Sequence, residues 1–70
     1  MPEKWTGDIV AKMHINRITH EELSKELGYT KPYVGMILNG VRKPPNAKQR
    51  FTEAINNILA RRKEEQKKEG

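Results

Sequence analysis

Two sets of helix start and stop signals follow each other closely in the middle of this chain. Thr19 and Glu22 have the spacing of a capping box, in which each side chain accepts a backbone N–H of the other residue. Gly28 then offers the left-handed conformation that ends many helices. Thr30, only two residues later, is a good start signal for another helix. The spacing therefore predicts two short helices joined by a tight turn, the pattern of a helix-turn-helix.

The second helix of this pair lies within "GYTKPYVGMILNG" and contains two residues that weaken helices. Pro32 falls in the first turn, where its missing N–H costs nothing. The residue before a proline avoids helical backbone angles, so the N-cap is either Thr30 or Lys31. Gly35 lies in the interior, where glycine costs about 1 kcal/mol relative to alanine. We interpret Gly35 as a point at which the helix backbone approaches a partner.

Apolar residues at helical spacing predict one helix before this pair and one helix after it. "EKWTGDIVAKMH" places its apolar residues on one face, with Trp5 as an anchor to the core and Gly7 as a weak point, and "INR" follows as a loop. The last helix begins with Asn46 as cap and Gln49 at the capping-box position. The predicted core residues are Trp5, Ile9, Val10, Met13, Leu23, Leu27, Val34, Ile37, Leu38, Phe51, Ala54, Ile55, Ile58 and Leu59.

The fold class that we predict is a small all-α helix-turn-helix domain of four helices, with five as the alternative number. Residues 1–60 form this domain, and residues 61–70 form either a charged helix end or a disordered tail. "RRKEEQKKEG" contains no large apolar residue to bury, but pairs four apart, such as Arg61 with Glu65, suit a helix. Heptads of a coiled coil are missing.

Composition excludes several classes of protein. Seventy residues suffice for one domain. The lack of cysteine excludes disulfides and thiolate zinc sites and favours a cytoplasmic location. No apolar run is long enough for a signal peptide or a membrane span, so we expect no membrane partner. His14 and His20 have no third ligand, and no nucleophile, base and pocket combine. We therefore expect no metal, cofactor, small-molecule ligand or enzymatic activity.

Positive charge is concentrated in the middle of the chain. The formal net charge is +5, while residues 1–26 carry four basic and five acidic residues and residues 53–70 carry five basic and four acidic residues. Residues 27–52 contain no acidic residue, and their basic residues are Lys31, Arg42, Lys43, Lys48 and Arg50. A phosphate-rich partner explains this distribution better than a chance run on a solvated face.

The outward face of the third helix predicts what this partner is. With Val34, Ile37 and Leu38 in the core, the residues facing outward are Lys31, Pro32, Gly35, Met36 and Asn39. In a DNA major groove, lysine donates to guanine or phosphate, and proline and methionine contact thymine methyl groups. Two alternatives stay open at this point, since Met36 is also compatible with a core position. Tyr33 suits either partial burial or a contact to the DNA backbone.

"ITHEELSKELGYTKPYVGMILNGVRKPP" resembles the helix-turn-helix of lambda-repressor and Cro-type regulators, also called the XRE family. The resemblance implies a DNA-binding regulator, related to phage repressors, whose third helix (about residues 30–39) reads the major groove of double-stranded DNA. It implies base contacts by Lys31, Pro32, Gly35 and Met36. It implies phosphate contacts by His20, Thr30, Tyr33, Asn39, Arg42, Lys43 and Lys48.

The sequence departs from the family at the base-contacting positions, which carry no glutamine, asparagine or arginine. Discrimination between DNA sequences is therefore expected to be modest, or to depend on thymine methyl groups and DNA shape. Relatives usually bind as dimers, for which Ile58 and Leu59 of the last helix are the candidate interface. The alternatives are a protein-interaction adaptor or antitoxin-like partner that uses the same helices, and a nonspecific architectural DNA-binding protein.

Overall fold

Four helices account for most of the protein. The computed structural model describes residues 4–69, with the side chains of residues 4–66, and places no strand in that range. The helices are α1 (Lys4–Asn16), α2 (His20–Leu27), α3 (Lys31–Leu38) and α4 (Ala47–Glu69). The predicted all-α fold class with four helices is thus confirmed for the described residues. The parts of our predictions that concern residues 1–3 and 70 lie outside them.

The boundaries of α2 are those that the sequence predicts. Thr19 has extended backbone angles, its hydroxyl oxygen accepts the N–H of Glu22 at 3.1 Å, and a Glu22 carboxylate oxygen accepts the N–H of Thr19 at 3.1 Å. Gly28 is left-handed, with φ of 76°, and ends the helix. Both signals act through neighbouring backbone groups, which is why the sequence alone locates them.

The ends of α3 are also set by local signals. Thr30 is the N-cap, with its hydroxyl oxygen accepting the N–H of Tyr33 at 3.3 Å, so the alternative of Lys31 as cap is wrong. Gly40, at φ of 79°, follows the last turn and donates its N–H to Ile37. Val41 donates to Met36 at 2.8 Å, which completes a Schellman motif.

The end of α1 differs from the prediction. The sequence predicts a loop at residues 15–17, whereas the helix continues through Asn16. Arg17 then adopts a left-handed φ of 54°, although it is not glycine. The Arg62 guanidinium of α4 donates to the backbone carbonyls of Asn16 and Arg17 and so holds the turn. This contact joins residues far apart in the chain, so no local pattern marks it.

The start of α4 is another correction. Asn46 precedes the helix and its carbonyl accepts the N–H of Arg50 at 2.9 Å, but its φ of 59° is left-handed. A capping box needs the extended backbone that Thr19 has. Gln49 instead donates forward to the Glu53 carboxylate at 3.2 Å. The predicted capping box of Asn46 and Gln49 is therefore wrong.

The core lies between α4 and the other three helices. Trp5 packs edge-on against Phe51, with ring centroids 5.7 Å apart, which confirms Trp5 as the anchor of α1. The buried apolar residues are Ile9, Met13, Ile18, Leu23, Leu27, Val34, Ile37, Leu38, Ala47, Phe51, Ala54, Ile55 and Ile58, and Trp5, Tyr29, Tyr33 and Leu59 are partly buried against them.

Val10 is predicted to be buried and is not, whereas Ile58 is predicted both as a core residue and as part of a dimer interface. Val10 is 46% exposed, because it lies 100° around the helix from the buried Ile9. Thr6, on the other side of Ile9, is the buried neighbour instead. Ile58 is only 3% exposed. Ile58 therefore belongs to the core, as its place on the apolar face of the last helix predicts, and a dimer contact through that helix stays a prediction.

The charged end of the chain is helical through Glu69. Arg61 forms an ion pair with Glu26 of α2 instead of the predicted pair with Glu65. Arg62 forms an ion pair with Glu22 at 2.9 Å. Among the described residues, no helix combines the length and the apolar character needed to cross a membrane.

The carboxyl group of Glu22 connects the start of α2 to the end of α4. Partial burial raises its pKa, but the N–H of Thr19 and the guanidinium of Arg62 together hold the pKa below its usual value. A carboxyl group whose pKa is lowered in the folded protein stabilises the fold at pH values above its unfolded-state pKa. That contribution is lost as the pH falls through the folded-state pKa.

We expect Glu22→Gln to lower the free energy of unfolding at pH 7 by about 0.5–1 kcal/mol, because the amide keeps the capping geometry but loses the ion pair. The difference from the original protein should shrink as the pH falls below the usual glutamate range. Urea unfolding at pH 7 and at about pH 3 measures it. Glu64→Gln, at an exposed glutamate, is the matched control. A difference that is equal at both pH values contradicts the assignment.

Candidate nucleic-acid interface

The rotation of α3 about its axis is fixed by three buried side chains. Val34, Ile37 and Leu38 lie in the core. The opposite side of the helix faces solvent, and because α3 carries no acidic residue, this side has no negative charge. The predicted residues on it are Lys31, Pro32, Met36 and Asn39, all exposed, and Gly35, partly exposed.

Met36 lies outside the core, with 40% of its surface exposed, so the alternative of a core position is wrong. The carbonyl of Met36 accepts the N–H of both Val41 and Arg42, at 2.8 and 3.3 Å. The loop after α3 therefore folds back onto the helix end. This brings the first loop cation next to the predicted base-contacting face. Val41, 65% exposed, adds an apolar side chain that sequence reasoning missed.

Gly35 has no packing role within the protein. A methyl group added at its Cα meets no heavy atom within 4 Å, and the residue has ordinary helical backbone angles. Alanine would therefore fit and would favour the helix by about 1 kcal/mol. The structure thus gives no internal reason for glycine at this position of α3.

Three predicted phosphate-contacting cations surround one cleft. Arg42, Lys43 and Lys48 are exposed and line an open cleft of about 350 Å³, whose inner wall includes Trp5 and Ile37. The cleft lies between the start of α1, the loop after α3 and the first turn of α4. These cations therefore form one positively charged surface beside α3, although Lys48 belongs to a different element.

Arg50, which sequence reasoning counts in the same basic segment, has a structural task. Its guanidinium donates to the carbonyl of Leu27 at 2.9 Å and to the hydroxyl of Tyr29, and it lies 4.8 Å from the centre of the Tyr29 ring. These contacts satisfy a carbonyl at the end of α2. The other cations of this segment are Lys31, Arg42, Lys43 and Lys48, and all four are exposed.

The other residues predicted to contact phosphate differ in their exposure and in their contacts within the protein. His20 is exposed as the first residue of α2, and Asn39 is exposed at the end of α3. The hydroxyl oxygen of Thr30 caps α3, which leaves its hydrogen for an acceptor such as phosphate. The Tyr33 ring is partly buried and packs edge-on against Tyr29, with centroids 5.0 Å apart. Partial burial of Tyr33 is therefore observed, and its contact with the DNA backbone stays a prediction.

The chemistry of this surface is that of cations, small apolar groups and hydrogen-bond donors around one exposed helix. Such a surface can neutralise phosphates along its edge and contact apolar groups at its centre. Among the described residues, no three histidine, cysteine, aspartate or glutamate side chains gather to hold a metal ion. We found no protein family, curated protein or solved structure that matches this chain.

Proposed function

We propose that this protein is a DNA-binding transcriptional regulator of phage-repressor or Cro type, whose α3 lies in the major groove. The observation that carries the proposal is the composition of the exposed α3 face, with an interior glycine that no internal contact explains. The flanking cations supply the second requirement, attraction to phosphate. The lack of cysteine agrees with action in the cytoplasm.

The major groove, about 12 Å wide, admits an α-helix and displays thymine methyl groups and guanine acceptors. Lys31, at the first position of α3, donates to guanine or to phosphate. Pro32 and Met36 contact thymine methyl groups, and Gly35 allows the helix axis to come closer to the base edges. Each of these residues then has a task that the solvated protein alone does not give it.

Contacts to the sugar-phosphate backbone fix the position of α3 in the groove. Arg42, Lys43 and Lys48 bind phosphates beside the end of α3, where the loop folds back against Met36. The remaining phosphate contacts in this proposal are those of His20, Thr30, Tyr33 and Asn39. Such contacts set affinity and register without reading sequence.

Sequence discrimination in this arrangement depends on apolar contacts and on DNA shape. Among the proposed base-contacting positions of α3, only Lys31 carries a hydrogen-bonding side chain, and no glutamine, asparagine or arginine is present to form a bidentate pair with a base. We propose a regulator that prefers thymine-containing sites with a moderate ratio of specific to nonspecific affinity. Nonspecific architectural binding is the limiting case, in which random and selected DNA bind equally.

A protein-interaction adaptor or antitoxin-like partner is the second candidate function. Pro32, Met36 and Val41 are exposed and apolar, and they form an apolar surface around the end of α3 that a protein partner could cover. Binding of this kind depends weakly on salt, whereas DNA binding falls steeply as salt rises. The salt dependence therefore separates the two candidates.

We expect Arg42→Ala combined with Lys43→Ala to weaken binding to every DNA sequence, because both cations contact phosphate. The slope of log affinity against log salt should become shallower by about two, close to one for each lost contact. The control is Lys12→Ala combined with Lys63→Ala, which removes the same charge from exposed positions on α1 and α4. Gel shifts over a salt series measure both. Equal effects of the two double variants would show that binding depends on the net charge of the protein and not on this surface.

We expect Met36→Ala to change which DNA sequences are preferred. Loss of an apolar contact of about 1 kcal/mol lowers affinity for the preferred site roughly fivefold and leaves random DNA nearly unaffected. Selection of bound DNA from a random pool, at stated salt, identifies the site and its symmetry before the comparison. Arg42→Ala serves as the contrast, since it should weaken selected and random DNA alike. Unchanged preference in Met36→Ala contradicts a major-groove position for this residue.

We expect Gly35→Ala to stabilise the isolated protein and to weaken its DNA binding. Gly7→Ala is the matched control, because Gly7 is also in a helix interior and an added methyl group there also meets nothing within 4 Å. Each variant should raise the free energy of unfolding by about 0.5–1 kcal/mol. Affinity for a short duplex that carries one half-site should fall only for Gly35→Ala. A gain in stability with no loss of affinity would remove the reason proposed for Gly35.

A further inference from the structure

The first turn of α3 has little support from the core. The first buried residue of this helix is Val34, at its fourth position. Lys31 and Pro32 before it are exposed, and Tyr33 is partly buried. The hydroxyl oxygen of Thr30 caps the turn by accepting the N–H of Tyr33. Because helix ends fray, the direction in which the side chains of this turn point depends on further contacts.

Two tyrosine rings supply such a contact. Tyr29, in the turn between α2 and α3, packs edge-on against Tyr33, with ring centroids 5.0 Å apart. This arrangement is favourable because the positive edge of one ring meets the negative face of the other. Tyr33 belongs to the first turn of α3, so the place of the Tyr29 ring influences the place of that turn.

Arg50 of α4 holds the Tyr29 side chain. One terminal nitrogen of its guanidinium donates to the hydroxyl oxygen of Tyr29, and the other donates to the carbonyl oxygen of Leu27 at 2.9 Å. The guanidinium carbon lies 4.8 Å from the centre of the Tyr29 ring. Because the guanidinium is planar, its donors have a fixed angle between them. Arg50 therefore joins the end of α2 to the ring that contacts the start of α3.

We propose that Arg50 is a positioning residue for DNA recognition, an inference that rests on the proposed function of α3. Arg50 contacts no base in this arrangement. Through Tyr29 and Tyr33 it fixes the first turn of α3 before DNA binds. That turn carries Lys31 and Pro32, and a turn that is ordered in advance loses less conformational freedom on binding. Contacts to base edges depend on this direction, whereas long cationic side chains reach phosphates from several directions.

The alternative interpretation is that Arg50, whose side chain is exposed, contacts a DNA phosphate. Arg50→Lys separates the two roles. Lysine keeps the positive charge that a phosphate contact requires, but it loses the planar fork that bridges Leu27 and Tyr29. A positioning role therefore predicts a loss of preference among DNA sequences without a change in salt dependence.

We expect Arg50→Lys to lower affinity for the selected site about fivefold and to leave affinity for random DNA and the salt slope unchanged. Arg61→Lys is the matched control, because Arg61 is also an exposed arginine of α4 that contacts α2, at Glu26. It should leave both affinities unchanged. Gel shifts with both DNAs over a salt series measure this. An equal loss for both DNAs, or no loss for either, overturns the proposal.

Hydrogen exchange in the free protein tests the contact without DNA. The N–H of Val34 donates to the carbonyl of Thr30 at 3.1 Å, within the first turn of α3. Arg50→Lys and Tyr29→Phe should each speed its exchange about threefold. Exchange of the Asn39 N–H, at the other end of α3, should stay unchanged. Both variants break the same contact, so the double variant should exchange no faster than either single variant.

An equal acceleration at Val34 and Asn39 would mean a general loss of stability and would overturn the proposal. Additive effects of the two variants would overturn the path through Tyr29. If the original protein binds no DNA, the proposed function fails, and the role of Arg50 in recognition fails with it. If the protein binds DNA and Arg50→Lys keeps the sequence preference, the function stands and only the positioning role fails.

Discussion

Burial of Val34, Ile37 and Leu38 fixes the rotation of α3, and the rest of the molecule is arranged around that constraint. Full burial of each side chain contributes about 1.5–3 kcal/mol, whereas an interior glycine costs about 1 kcal/mol. Three buried residues therefore outweigh Gly35, and the helix can present a face of weak helix formers to solvent. An eight-residue helix is too short to be stable alone, so α3 exists because α2, α4 and the core hold it.

The end of α4 extends this support to the other side of the molecule. Arg62 joins the carbonyls of Asn16 and Arg17 to the carboxylate of Glu22, so one guanidinium links the turn after α1 to the start of α2. A charged segment with no apolar face is thereby tied to the fold by ion pairs and hydrogen bonds to backbone. The partly exposed Arg62–Glu22 pair is worth little by itself, but its position makes the α1–α2 turn depend on α4.

Local signals could be predicted from the sequence, and contacts between distant residues could not. The capping box of Thr19 and the left-handed glycines at 28 and 40 act within a few residues, so the ends of α2 and α3 follow from spacing. Arg17 adopts left-handed angles without being glycine, and no local signal marks it. Asparagine tolerates such angles, but an asparagine before a helix equally predicts an extended N-cap, so Asn46 could not be assigned from its type. The outward face of α3 was predictable from helical period. The contact of Arg50 with the end of α2 could not be predicted, because a count of charges does not show which cations form contacts within the protein.

Gly7 and Gly35 lower the stability of their helices without any contact in the protein that requires a glycine. A domain of this size has a total stability of roughly 4–10 kcal/mol, so two interior glycines that cost about 1 kcal/mol each are a substantial fraction of it. Each lies on an exposed helix face that an added methyl group would not disturb within the protein. The proposed contact of α3 with DNA would give Gly35 a reason of this kind, because a glycine lets the helix backbone approach the base edges.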